Sequence, residues 1–321
     1  MEASLIIATY NRAEKLRSCL AALSNQTQPA TDFEVVVVVD GSTDGTEEML
    51  ADLEVPFALR VILQPNTGQP AALNRGAAES LGRIAIFLDD DIIVAPEFVA
   101  EHLRLHETHD QVVGIGQLTL SLAPGADWFA RGFAQSWRQH YAEFNRGKRQ
   151  PDWDDCYGGN MSVAHAAFIA VGGNVTNLRR GYDVDLAYRL KKYGCSFAYL
   201  PAALGNQLES KGFRELAADS EFAGAASAEL ARRHPGIEKK LFSDFQQTRL
   251  SRLVFWWLLA IANLSASGVE RLQRLAGGQG ESFEWFVFFS HYYFWLGVRR
   301  AAPERTGPQG WLHLKKRGNV E

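Results

Sequence analysis

The segment Phe33-Glu34-Val35-Val36-Val37-Val38-Val39-Asp40 restricts the folds open to this chain more than any other. From Glu34 to Val39 it is nearly all apolar on both faces, as expected of a central parallel strand covered from both sides. Short runs of similar character, Leu5–Thr9, Leu59–Leu63 and Ile84–Asp89, read as further strands bounded by turn residues. Ala13–Leu23, Thr46–Leu53, Pro70–Leu81 and Pro96–His109 read as the helices between them, with Pro70 and Pro96 tolerated in a first turn. Strand and helix in alternation predict an α/β, doubly wound, mostly parallel sheet with helices on both faces and right-handed crossovers.

In such sheets ligands bind beyond the carboxyl ends of the strands. Three strands here end in polar sets: Thr9-Tyr10-Asn11-Arg12, Asp40-Gly41-Ser42 and Asp89-Asp90-Asp91. One crevice can therefore collect all three. Further along, between about Leu120 and Asp155, the alternation fades into an aromatic, charged stretch with Trp128, Phe129, Trp137 and Tyr141. It resumes with Gly158-Gly159-Asn160, a β-prone Met161-Ser162-Val163 and a helix over about Val184–Tyr193. After Gly212 the chain reads as mainly helical, which divides it into a domain over residues 1–215 and a helical extension over 216–321.

Asp89, Asp90 and Asp91 follow the apolar Ile84–Leu88 run. Adjacent carboxylates repel unless they are solvated or neutralised by a cation. Asp89 and Asp91 fall on one side if the strand persists that far. Hard oxygen ligands without nearby His or Cys favour Mg2+ or Mn2+, which commonly take one or two carboxylates and complete their shell with substrate phosphates. A solvated turn is the plainer alternative. Asp40-Gly41-Ser42-Thr43-Asp44-Gly45 opens like a calcium loop, but a strand precedes it and Ala51 stands where the bidentate Glu is needed. Ser42, Asp44 and Gly45 are read either as a helix cap or as part of a site in which Asp40 accepts a hydrogen bond from a base N–H. Gly181-Tyr182-Asp183-Val184-Asp185 opens a helix, where acidic residues complement the dipole; a carboxylate there is also placed to act as a general base.

Taken together these motifs resemble the family 2 glycosyltransferases, inverting enzymes of the GT-A fold. The matching elements are Ile6–Arg12, Val39–Asp44, Asn66-Thr67-Gly68 with Ala72, Asn74 and Gly76, Phe87–Asp91, Gly158-Gly159-Asn160, and Asp183–Leu186 with Arg189. They occur in the family's order between about Leu5 and Pro201. The resemblance implies that Thr9 and Asp40 contact base and ribose and that Asn74 or its neighbours line the nucleotide pocket. Asn11, Arg12, Ser42, Asp89 and Asp90 complete the expected donor set. Asp89 and Asp91 span the D-x-D motif, with Asp91 as the direct ligand of Mn2+ or Mg2+. Gly159, Asn160, Tyr182 and Asp185 belong to the sugar and acceptor region, and Asp183 is the base. Two positions depart from the pattern. Tyr182 replaces the acidic residue usual before the base, and Ala202–Gln207 lacks a metal-binding His.

The expected activity is transfer of a sugar from a nucleotide-diphosphate donor, with UDP favoured, to a glycan, lipid-linked or other hydroxyl acceptor, as in cell-envelope or polysaccharide synthesis. A non-catalytic sugar-nucleotide-binding or assembly protein on the same fold is the alternative. A nucleotidyltransferase would need a basic phosphate loop near the first strand, and the dinucleotide fingerprint of dehydrogenases is absent there. A net charge of -4 argues against nucleic acid as a partner. Three scattered cysteines and no evident leader point to a cytoplasmic protein. The apolar Leu253–Ala262 run is shorter than the roughly 20 residues that span a bilayer. Phe283–Val298, with Trp285, His291, Tyr292, Tyr293 and Trp295 ahead of Arg299-Arg300, suits either a membrane interface or a packed helical pair. Peripheral contact with the inner membrane face through residues 250–300 and packing of the helical pair on the catalytic domain or in a homo-oligomer are equal expectations. The basic Lys315-Lys316-Arg317 favours an anionic surface.

Overall fold

The computed structural model describes residues 1–109, 111–209, 211–242, 265–275 and 283–303, so Leu253–Ala262 and Lys315–Arg317 lie outside the described residues. Two compact units are present, one formed by 1–121 and 137–209, the other by 122–136 and 210–321.

The first unit holds a mixed sheet. Strands β1 (Ala3–Thr9), β2 (Phe33–Asp40), β3 (Ala58–Gln64) and β4 (Ile84–Leu88) form its parallel part, in the order β3-β2-β1-β4. Every residue of β1 and β2 is buried, as the two-sided apolar pattern of Val35–Val39 requires. Helix α1 (Ala13–Leu23) turns Leu16, Cys19, Leu20 and Leu23 inward, a three- and four-residue spacing that forms one apolar stripe. Helix α2 (Thr46–Ala51) follows β2. Helix α3 (Gln69–Glu79) packs closely enough on the sheet that a Cβ on Gly76 would come within 2.7 Å of Ile6 and 3.1 Å of Val38. Truncating Leu16 or Leu20 to Ala in this interior would cost about 2–5 kcal/mol.

Beyond β4 the sheet turns antiparallel. Strands β5 (Ile92–Val94), β6 (Val112–Leu122), β7 (Asn160–Ala164) and β8 (Ser196–Glu209) extend it in the order β4-β7-β6-β8-β5. β7 lies between β4 and β6 and is antiparallel to both. The expected strand over Ile84–Asp89 ends at Leu88. Asp89–Asp91 form a turn, closed by the Ile92 N–H donating to Asp89 O at 3.3 Å, so simple face alternation does not apply to these carboxylates. Helix α4 (Phe98–Thr108) precedes β6, and helix α5 (Trp128–Asn145) fills about half of the stretch where the sequence alternation faded. Helices α6 (His165–Ala170) and α7 (Tyr182–Tyr193) complete this part.

In the second unit, helix α8 (Phe213–Arg233) packs against the helix Phe283–Ala301. Gly224 and Gly297 face the opposing backbone there, and neither position has room for a Cβ. Tyr292, Tyr293 and Trp295, candidates for a membrane interface, are buried in this cluster, whereas Trp285 is 45% exposed. Among the described residues no helix is long and apolar enough to cross a membrane.

Candidate functional site

The polar ends of β1 and β2 meet through hydrogen bonds. Asn11, the one non-glycine residue with positive φ (52°) among the described residues, donates its N–H to Ser42 Oγ at 3.0 Å and accepts from the Thr43 N–H at 2.7 Å. Asn tolerates this left-handed geometry better than most side chains. Asp44 Oδ2 accepts from the Ala13 N–H at 3.0 Å at the start of α1, and Asp44 Oδ1 accepts from the Thr46 N–H. Asp44 thus bridges the first residues of α1 and α2, neither of which has a side-chain N-cap, while Ser42 serves Asn11. Asp40 is buried. Its carboxylate accepts from Gln64 Nε2 at 2.7 Å, the Thr67 N–H at 2.9 Å and the Gly68 N–H at 2.8 Å, holding the loop that leads into α3.

The turn after β4 joins the same crevice. Thr9 Oγ1 donates to Asp90 Oδ2 at 2.8 Å, and Arg12 Nη1 donates to Asp90 Oδ1 at 2.9 Å. Arg12 also reaches Asp91 at 3.3 Å, with Lys15 Nζ 3.6 Å and Gln207 Nε2 3.2 Å from the same carboxylate. β8 delivers Gln207, whose Cα pairs with Ile92 across the sheet. Asp89 points elsewhere and accepts from Gln69 Nε2 at 2.9 Å. Burial and the neighbouring Asp91 and Asp90 push the Asp89 carboxyl up to about 7. Asp90 is likewise raised by burial, against the opposing pull of Arg12 and Thr9. For Arg12, burial acts to lower the pKa, but Asp90, Asp91 and Asp89 together leave it raised.

A glycine strip links this turn to the second carboxylate pair. The Asp89 N–H donates to Gly159 O at 3.2 Å, and a Cβ on Gly159 would collide with the Asp89 carboxylate. One residue back, the Gly158 N–H donates to Asp183 Oδ2 at 3.0 Å, and a Cβ there would lie 3.2 Å from Asp183 Cβ. Asp183 Oδ1 accepts from the Val184 N–H at 2.9 Å in the first turn of α7. Burial nevertheless raises its pKa, outweighing these hydrogen bonds and the nearby Arg180 charge. Tyr182 is buried beside both groups. Burial first, then Asp89 and Asp183, lift its phenol well above the usual range, so the ring presents a neutral hydroxyl.

Three residues named from sequence sit in enclosed hydrogen-bond networks. Asn74 donates Nδ2–H to Asn174 O at 2.8 Å and accepts from the Asn174 N–H at 2.7 Å. Asp185 pairs with Arg189 at 2.7 Å, and Arg189 also donates to Val171 O at 2.5 Å and Gly173 O at 2.7 Å. Asn160 Nδ2 donates to Gln117 O at 3.2 Å and Ala203 O at 3.0 Å, while its Oδ1 lies 3.0 Å from His102 Nε2. His102 and His106 flank Ser162 Oγ at 2.9 Å each, and burial drives the two rings down to about 3 and about 4 respectively, hence neutral near pH 7. Lys15, Gln69 and this histidine pair escaped the sequence analysis, and Gln207 entered it only as part of the segment without a metal-binding His, because contacts such as Gln69–Asp89 and Gln207–Asp91 span 20 and 116 positions of chain.

Among the described residues, no group of three or more His, Cys, Asp or Glu converges so as to hold a metal by itself. Asp89 and Asp91 flank one turn, and burial together with the neighbouring carboxylates leaves Asp89 easier to protonate than an ordinary carboxyl. Such a pair fits a hard divalent cation that draws its remaining ligands from phosphate and water, not an all-protein cage.

The family model described as Glycosyl transferase family 2 matches residues 4–172. The Bacillus subtilis protein named "Uncharacterized glycosyltransferase YfnE" is 37% identical over 36% of this chain and 30% of its own length. Validoxylamine A glucosyltransferase of Streptomyces hygroscopicus subsp. jinggangensis is 26% identical over 74% of this chain and 62% of its own. The chain thus spans less than two thirds of the length of these curated relatives. Among solved structures, mannosyltransferase PcManGT from Pyrobaculum calidifontis, in complex with GDP-Man and Mn2+, gives a TM-score of 0.64 at 16% identity, covering 95% of this chain and 88% of that one. S. aureus TarS in complex with UDP-GlcNAc gives 0.53 at 16% identity, covering 94% and 92%. At such identity the likeness concerns the fold alone, and that fold is the GT-A arrangement of a mostly parallel sheet with helices.

Proposed function

The chain belongs to glycosyl transferase family 2, and from that premise we propose that it moves a sugar from a nucleoside-diphosphate sugar to an acceptor hydroxyl with inversion at the anomeric carbon. The observation that carries this is the Gly158-Gly159 strip, which holds Asp183 and Asp89 on adjoining residues of one wall. A phosphate-side carboxylate and a proton acceptor are thereby set next to each other, as displacement at a carbon between them requires.

In this mechanism the acceptor oxygen attacks the anomeric carbon from the face opposite the diphosphate. The carbon–oxygen bond to the diphosphate breaks and its electron pair leaves with that group. Asp183 takes the hydroxyl proton, a contribution of about 10²–10⁴-fold. The peptide N–H groups of Gly158 and Val184 orient its carboxylate, and burial keeps it more basic than an exposed Asp. A divalent cation, Mn2+ or Mg2+, held by Asp91 with Asp89 would supply Lewis-acid stabilisation of the charge gathering on the leaving diphosphate. Arg12 and Lys15 stand on the same side and add positive charge there.

The remaining residues divide by what they touch. Asn11, Ser42 and Thr9 shape the nucleotide end, and Asp40 acts by fixing the Thr67-Gly68 loop. Asn74, Asn160 and Asp185 act through the backbone segments they brace. Tyr182 offers a neutral hydroxyl toward the sugar where an acidic residue is usual in the family. The acceptor is a glycan or another hydroxyl compound, and UDP is the first donor base to test.

Calorimetric titration with UDP, GDP and dTDP, with and without Mn2+, tests the assignment. Binding of one diphosphate that strengthens with Mn2+, together with slow hydrolysis of its sugar conjugate, is the expected result. Absence of hydrolysis despite tight binding would transfer the case to a non-catalytic sugar-nucleotide-binding role.

A further inference from the structure

We propose that Gln69 is the positioning residue for Asp89, tying that carboxylate to the loop at the nucleotide end and so setting its separation from Asp183. This rests on the transferase assignment and deepens it by adding a residue to the donor side. Asp89 has negative neighbours on its own turn, and both Asp90 and Asp91 act against its charge. The donors that balance the turn are taken up by those two: Thr9 and Arg12 reach Asp90, while Arg12, Lys15 and Gln207 reach Asp91. Among the described residues only Gln69 gives Asp89 a side-chain hydrogen bond, Nε2 donating to Oδ1 at 2.9 Å. The other oxygen, Oδ2, occupies the space where Gly159 would carry a Cβ. Without the amide, repulsion from Asp90 and Asp91 acts on a carboxylate that no side chain holds over the glycine strip.

The base from which Gln69 reaches is fixed on both sides. Buried Asp40 accepts from the Thr67 N–H at 2.9 Å and the Gly68 N–H at 2.8 Å. Gly68 has φ 92°, a region that favours glycine, and its carbonyl accepts from the Ala71 and Ala72 N–H groups at 3.1 Å each. Gln69 then opens α3, with Pro70 fixing the backbone of the first turn. A run of hydrogen bonds thus leads from Asp40 through two peptide groups and one amide to Asp89. The Asp89 N–H continues it to Gly159 O at 3.2 Å, and Gly158, one residue back, holds Asp183. A carboxylate accepts several hydrogen bonds, so Gln69 can stay in place while Asp89 takes a ligand. Gln69 is itself exposed, so replacing it leaves the core untouched.

Two variants of the full chain separate the hydrogen bond from the bulk of the side chain. Gln69→Met keeps the length without a donor, and Gln69→Lys restores an N–H donor of similar reach. Hydrolysis of UDP-glucose, UDP-N-acetylglucosamine and GDP-mannose is followed with Mn2+, beside calorimetric titration of UDP and GDP without it. In Gln69→Met, kcat for the donor that the wild type hydrolyses should fall about tenfold, with KM and diphosphate affinity unchanged. Gln69→Lys should recover most of that loss. In chain carrying nitrogen-labelled glutamine, the Gln69 side-chain amide resonance, identified as the one missing in Gln69→Met, should move in Asp89→Asn. Wild-type kcat in Gln69→Met, a Gln69→Lys as slow as Gln69→Met, or an amide resonance indifferent to Asp89→Asn would overturn the positioning role and leave the transferase assignment standing. A responsive amide in a chain that binds no diphosphate and hydrolyses no donor would uphold the contact and overturn the assignment it serves.

Discussion

The two carboxylate groups of the crevice are balanced in opposite ways. Asp89, Asp90 and Asp91 sit on a turn between strands and are met by side chains: Arg12, Lys15, Gln69, Gln207 and Thr9. Asp183 opens a helix and is met by backbone, through the N–H groups of Gly158 and Val184. Mobile cationic and amide side chains can be displaced or reshaped by an incoming charged ligand. Peptide N–H groups cannot move, and they orient a carboxylate without neutralising it. The first arrangement suits a place where charge arrives and departs with a ligand, the second a proton acceptor whose direction must not vary.

Replacing Asp183 is the severest test of this contrast. Asp183→Asn preserves shape but removes the proton acceptor, and turnover should fall by about 10²–10⁴-fold, with donor affinity by calorimetry nearly unchanged. Equal activity would sink the base assignment. Next in size is Asp185→Ala, two residues along the same helix. It leaves the Arg189 guanidinium without its carboxylate in a mostly buried position and should cost about 2–3 kcal/mol in urea unfolding. A loss of turnover without a loss of stability would instead move Asp185 into contact with substrate.

Asp91→Ala should weaken Mn2+-dependent nucleotide binding about tenfold and abolish its sensitivity to chelator, because the turn then retains one flanking carboxylate. Unchanged titrations with and without chelator would remove the metal role. The smallest effect concerns pH. The pKa of Asp183 is raised, and it must be ionised to accept a proton. Its active fraction therefore declines as pH falls through the raised value, and the acid limb of kcat/KM should begin above the range of an exposed Asp. A limb at the ordinary Asp position would mean that ligand binding or relaxation cancels the burial.

The parallel part of the sheet was legible because its code is local. Val35–Val39 is apolar on both faces, and β1, β2 and α1 fall where their patterns place them. Of the antiparallel part, β7 showed as the β-prone Met161-Ser162-Val163, and the rest hid for a physical reason. Gly114 and Gly116 weaken the strand signal of β6, yet they are required there because Ser162 and Asn160 fill the space their side chains would need. Pro201 similarly obscures β8. At the site, the three strand ends converge as their positions predicted, since ligand crevices form at carboxyl ends. The facing of Asp89 and Asp91 was not legible, because it depends on a strand ending one residue early and on Gln69, Lys15 and Gln207 arriving from other elements.

Gly158 and Gly159 also set a limit on how this protein can vary. At Gly159 the Asp89 carboxylate occupies the space a side chain would need, and at Gly158 a Cβ would press on Asp183 Cβ at 3.2 Å. Two adjacent hydrogens therefore act as a spacer whose thickness is already at its minimum. Inherited change can shorten it no further, and lengthening it by a single methyl at Gly159 drives Asp89 from its place while leaving the buried Val35–Val39 strand intact. A side chain at Gly159 is therefore expected to shift the Asp89 carboxylate before it disturbs the core strands, a separation that circular dichroism beside nucleotide titration would read.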